Sequence, residues 1–115
     1  MTGDEAVAAL PASIKVAGFD FAIVRRSRHS QDSVRSWGAC ATAEQTISVQ
    51  DSFPTPFKAV DTFLHETMHA IYWAYGVHDD DKEERIVAAL STGLMTLHRD
   101  NPWLAKWIGD ALAQG

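Results

Sequence analysis

His65, Glu66 and His69 stand in the stretch FLHETMHA, residues 63–70, with the histidines four positions apart and the glutamate directly after the first. Residues i and i+4 are neighbours on a helix, so two imidazoles at that spacing can reach one ion over the ~2.0–2.1 Å of a zinc–nitrogen bond. Glu66 is turned away from direct ligation by them. It can instead take a proton from a water that the ion acidifies. The three side chains thus divide into two metal ligands and one general base, the alternative being a chance grouping on a busy helix.

A catalytic zinc normally takes three protein ligands and leaves one position open. The extended pattern HExxHxxGxxH is excluded, because Tyr72 and Tyr75 occupy its glycine and third-histidine positions. The segment KEER, residues 82–85, offers Glu83 and Glu84 at the start of another predicted helix. Glu84 shares a helical face with Val87, Ala88, Ser91 and Met95, and the small residues there would let two helices approach closely. Glu83 lines up with the larger Ile86, Leu90 and Leu97. This comparison prefers Glu84 as third ligand over Glu83. His78 and the run Asp79, Asp80, Asp81 are rivals, although aspartates in such a place more often start a helix.

The elements that must hold these residues are legible around them. Thr55 can cap a helix whose first position suits Pro56, predicting a helix from about Pro56 to Tyr75. Phe57, Val60, Leu64, Met68, Ile71 and Tyr75 form its apolar stripe, with both histidines at the border. Upstream, DEAVAAL suggests a short packing helix stopped by Pro11. One strand is expected over residues 14–26, where Phe19, Phe21 and Ile23 alternate. The polar segment SRHSQDS breaks that pattern. VRSWGACATAEQTISVQ then reads as a second strand, a turn near Ala43, Glu44 and Gln45, and a third strand carrying Ile47 and Val49. Downstream, a helix from about Lys82 to His98 precedes a last one after Asn101-Pro102, where Trp103, Leu104, Trp107, Ile108 and Leu112 share a face. The expected class is α+β, a small antiparallel sheet with the HExxH helix and two further helices after it.

At 115 residues and 46% apolar composition, the chain suits one domain spanning residues 1–115. Its net charge is −5, and its basic residues are scattered apart from Arg25, Arg26 and Arg28, which argues against nucleic acid as a partner. The single Cys40 excludes an internal disulfide, and no apolar run approaches the ~20 residues that span a bilayer. The start MTGDEAVAALPASIK lacks the features of a signal peptide, so a cytoplasmic location is expected.

Other residues have two readings each. Trp37-Gly38-Ala39-Cys40 forms either an edge strand to which a peptide can add or a merely flat strand. Cys40 is a metal ligand or, more simply, a small buried hydrophobe. Tyr72, Tyr75, His78 and His29 are packing or surface groups that could also donate to an oxyanion. Trp37, Trp73, Trp103 and Trp107 read as core and lid material, or as a peptide platform.

FLHETMHAIYWAYG, followed by EERIVAALSTGL and LHRDNP, resembles a family of small phage and prophage proteins with an LHExxHA helix, an ExxVxxLxxGL helix and an RDNP ending. More distantly, it resembles the minimal zincin domains of ImmA/IrrE-type and SprT-like metallopeptidases. The likeness runs from about Ile47 to Pro102. It implies a short sheet over the HExxH helix, whose edge strand pairs with extended substrate. By position it makes His65 and His69 ligands, Glu66 the general base and Glu84, which opens the ExxV pattern, the third ligand. Val87 and Leu90 depart from the ImmA-type pattern, which has Ala and an aromatic there. The expected activity is zinc-dependent peptide hydrolysis in a bacterial host, though a His₂Glu site also accepts other divalent ions. The alternatives are a non-catalytic zincin-fold metal-binding or protein-interaction module, and an accessory subunit completed by another protein.

Overall fold

The computed structural model describes residues 1–27 and 36–113. Most of SRHSQDS, including Arg28 and His29, and the Val34-Arg35 start of the expected second strand lie outside the described residues. The order is α1 (Gly3–Ala8), β1 (Ser13–Val16), β2 (Phe19–Arg26), β3 (Gly38–Ala41), β4 (Thr46–Gln50), α2 (Pro56–Ala74), α3 (Glu83–Asp100) and α4 (Trp103–Leu112). The expected α+β class holds.

Residues 14–26 are two strands and not one. Ala17 and Gly18 both take positive φ, 50° and 89°, and Val16 pairs with Phe19 across them. Such two-residue turns match the twist of the flanking strands. The sheet order is β1-β2-β4-β3. β3 with β4 is antiparallel as expected, the unforeseen β1–β2 pair is antiparallel too, but β2 and β4 run parallel. In that register Ile23 lies beside Ile47, and both are buried. The sheet is therefore mixed, with β3 at one edge among the described residues.

Helix α2 lies against this sheet and also packs on the other helices. Its buried residues are Ala59, Val60, Thr62, Phe63, Glu66, Thr67, Ala70 and Ile71. That face is rotated from the apolar stripe expected from sequence: Phe57 is exposed, whereas Leu64, Met68 and Tyr75 are only partly buried. Counting large apolar residues overlooked the small and polar ones on the true core face. Thr67 is fully buried because its hydroxyl donates to the Phe63 carbonyl at 2.8 Å, which removes most of the cost of burying it.

Two polar side chains lock the periphery. Asn101, buried at the α3–α4 corner, accepts from the Lys15 backbone N–H and donates to the Lys15 and Leu97 carbonyls. It thereby satisfies backbone groups of the edge strand β1. Arg25 donates to the carbonyls of Val7, Ala8 and Leu10 at the end of α1, so it serves the fold as a helix C-terminal cap. Trp107 is core and donates to the Ala6 carbonyl at 2.8 Å. Trp37 stacks on Phe53, and the more exposed Trp73 meets Phe19 and Phe21 edge-on.

Candidate functional site

The Thr55 hydroxyl accepts from the Lys58 N–H, and Pro56 occupies the first turn of α2. The HExxH residues consequently lie well inside a helix, where their i, i+4 spacing is fixed. Its far end is equally well defined. Gly76 has φ +64°, its N–H donates to the Trp73 carbonyl, and the Val77 N–H donates to the Tyr72 carbonyl. This Schellman arrangement, with Val77 buried, starts the connection to α3.

His65 and His69 are exposed on α2, while Glu66 is only 9% exposed. The ligand atoms of the three all lie within 4.8 Å of one another. The two histidine Nε2 atoms are 3.3 Å apart. Two nitrogens bound at ~2.0–2.1 Å to a tetrahedral ion lie ~3.3–3.4 Å apart. The observed separation matches the edge that a tetrahedral zinc site would have, and it is equally that of a hydrogen bond between neutral imidazoles.

Comparison with family models, with curated proteins and with solved structures finds no match to this chain. The site is thus read from its own geometry.

Strand β3 comes unusually close to Glu66. A Cβ on Gly38 would stand 2.9 Å from Thr62 Cγ2, 3.0 Å from the Ser48 carbonyl oxygen and 3.1 Å from Glu66 Cγ. Glycine is what permits the approach. Two open cavities meet at Glu66: one of about 490 Å³ that Cys40, Thr42, His69 and Tyr72 help to line, and one of about 290 Å³ bordered by Ser36, Trp37, Gly38, Thr62 and His65. Burial, and then the Glu66 charge, push the Cys40 thiol up to about 11. At neutral pH it is a protonated, half-buried side chain, in keeping with the hydrophobe reading.

The third ligand expected from sequence is not brought to this group. Glu84 is exposed in the first turn of α3 and stands outside the cluster. Its face is the outer one, where Val87 is 52% and Met95 67% exposed and Ala88 and Ser91 are also exposed. The inward face instead carries Ile86, Ala89, Leu90, Gly93 and Leu97. Glu83 and Glu84 are well placed to meet the positive end of the α3 dipole, which accounts for both.

Asp79, one of the rivals expected from sequence, also stands outside that group, but it faces the same side of α2. Asp79 lines a third cavity, of about 370 Å³, together with His65, Met68, His69, Tyr72 and Leu90. The Tyr72 hydroxyl donates to Asp79 Oδ1 at 3.0 Å. Partial burial first, then that hydrogen bond and the surrounding aspartate charges, raise the Tyr72 pKa, so the phenol remains the donor. Tyr75 is engaged elsewhere, with Thr96 Oγ1 at 3.0 Å, and His78 borders the cavity beside Cys40. His29 lies outside the described residues.

Proposed function

We propose that this chain is a zinc-dependent hydrolase of the metallopeptidase type, akin to the small phage zincin-like proteins that its motifs resemble and acting in the bacterial cytoplasm. The observation that carries the reading is the 3.3 Å Nε2 separation of His65 and His69 beside a buried Glu66. His65 and His69 would hold the ion, or another divalent cation of similar preference. Such an ion supplies Lewis-acid polarisation of a carbonyl and acidification of water. Glu66 accepts the proton of the attacking water on its carboxylate and returns it to the departing amine. Packing of Glu66 beneath Gly38 of β3 sets its carboxylate where the two cavities meet.

The substrate best suited to the surroundings is an extended peptide or protein segment. β3 is short, carries small side chains and runs between the two cavities that meet at Glu66, so a strand added to its edge would cross the site. Among the described residues no helix is long and apolar enough to cross a membrane, and the acidic charge balance argues against nucleic acid.

Glu66→Gln keeps the shape of the side chain and removes the base. Zinc content should stay at the wild-type level while hydrolysis of an unfolded protein substrate falls by about 10²-fold or more. Retained turnover would sink the mechanism. A second reading, a metal-binding module that recognises a partner without cutting it, is favoured by the exposed apolar residues Val87, Leu94 and Met95 on α3. It expects partner capture with no cleavage in wild type and variant alike.

A further inference from the structure

We infer that Asp79, and not a glutamate of α3, supplies the third protein ligand, with Tyr72 as its positioning residue. The inference rests on the metal-site reading of His65 and His69 and adds the group that completes it.

The connection after α2 has three consecutive aspartates with different surroundings. Asp81 is used by the loop itself: its Oδ2 accepts from the His78 N–H at 2.8 Å, and its own N–H donates to the His78 carbonyl at 3.0 Å. Asp79 and Asp80 are both exposed, and Asp80 contributes to neither contact. Asp79 is turned onto the histidine face of α2, where it borders the cavity that both His65 and His69 line.

Its carboxylate is already oriented. Tyr72 is one turn beyond His69 and lines the same cavity, and its hydroxyl holds Asp79 Oδ1. Asp79 is not within the 4.8 Å group of His65, Glu66 and His69, so ligation requires its side chain to swing inward across the cavity that they share. A carboxylate ligand fixed by a neighbouring hydrogen-bond donor is the usual arrangement around metal centres. The chain path supports it independently, because the Gly76 turn and the Val77 N–H bond to the Tyr72 carbonyl bring residue 79 back along α2. Two imidazoles and one carboxylate would leave one position of a four-coordinate ion open.

The test is zinc affinity, measured by competition with a chromophoric chelator on the full chain, together with the visible spectrum of the cobalt-substituted protein. Asp79→Asn preserves the acceptor for Tyr72 but is a poor ligand, and it should weaken zinc by about tenfold or more and alter the cobalt spectrum. Asp80→Asn and Glu84→Gln should match wild type in both. Tyr72→Phe should weaken zinc less than Asp79→Asn and shift the cobalt spectrum less, while each metal-free variant melts like wild type. Wild-type affinity and spectrum in Asp79→Asn, with loss in Glu84→Gln, would overturn the assignment and leave the hydrolase reading standing. Failure of wild type to bind zinc, with His65→Ala indistinguishable from it, would remove both.

Discussion

Cys40 and Glu66 line one cavity, and the thiol reports on the carboxylate. A thiol raised to about 11 carries roughly a hundredfold less thiolate at pH 8 than an ordinary one, and the thiolate is the nucleophile. Alkylation of Cys40 at that pH should therefore be slow in the native protein and fast once it is unfolded. Burial is the larger cause and the Glu66 charge the smaller. Replacing Glu66 with Gln should then speed native-state alkylation only a few-fold, as measured by mass spectrometry over time. An unchanged rate would mean that the carboxylate does not face the thiol. At this scale the sequence spoke clearly where chemistry is local: His65, Glu66 and His69 are set by helical spacing alone. It could not reveal that Gly38 must lack a side chain, or that Asp79 folds back on Tyr72, because both depend on a neighbouring element.

Helix α3 crosses α2 closely enough that a Cβ on Gly93 would meet Ile71 Cγ2 at 2.5 Å and Tyr75 Cε2 at 3.4 Å. In an open helix, Gly to Ala stabilises by roughly 0.5–1 kcal/mol. Overpacking a filled contact costs about 1–3 kcal/mol. The second effect is the larger, so Gly93→Ala should lower stability in urea unfolding. Gly109, in α4 with nothing within 4 Å of its added Cβ, supplies the opposite sign: Gly109→Ala should stabilise by roughly 0.5–1 kcal/mol. If both change stability alike, the α2–α3 crossing is not as tight as described. The same crossing explains why the helical wheel misplaced the approach face of α3. The wheel for α3 took Ala88 and Ser91 as the approach face, whereas Gly93, a smaller residue still, makes the contact and turns Glu84 outward. Helix limits were legible because Thr55-Pro56 and Asn101-Pro102 are local stop and start signals. The β1–β2 turn was not, since Ala17 accepts positive φ without the Asn or Asp that usually marks it.

The whole molecule has a modest core, and its candidate ligands come from an element and the loop that follows it. Parallel pairing of β2 with β4 was beyond sequence reading for a related reason: it joins segments more than twenty residues apart with no local signal between them. An ion gripped by α2 and the 77–82 loop would tie together parts that the apolar core holds less firmly. Because that arrangement exists only in the folded chain, binding must raise stability by mass action, about 2.7 kcal/mol at a hundred times the dissociation constant. For a domain of this size that corresponds to roughly 10 °C in melting temperature. Scanning calorimetry with excess zinc, and again after chelation, should show a shift of that order in wild type. His65→Ala should abolish the shift while keeping a wild-type melting temperature without metal, since His65 is exposed and contributes little packing. A shift that persists in His65→Ala would mean that zinc binds elsewhere on the chain. Equal melting temperatures of wild type with and without zinc would mean that the 3.3 Å pair of imidazoles is a hydrogen bond and nothing more.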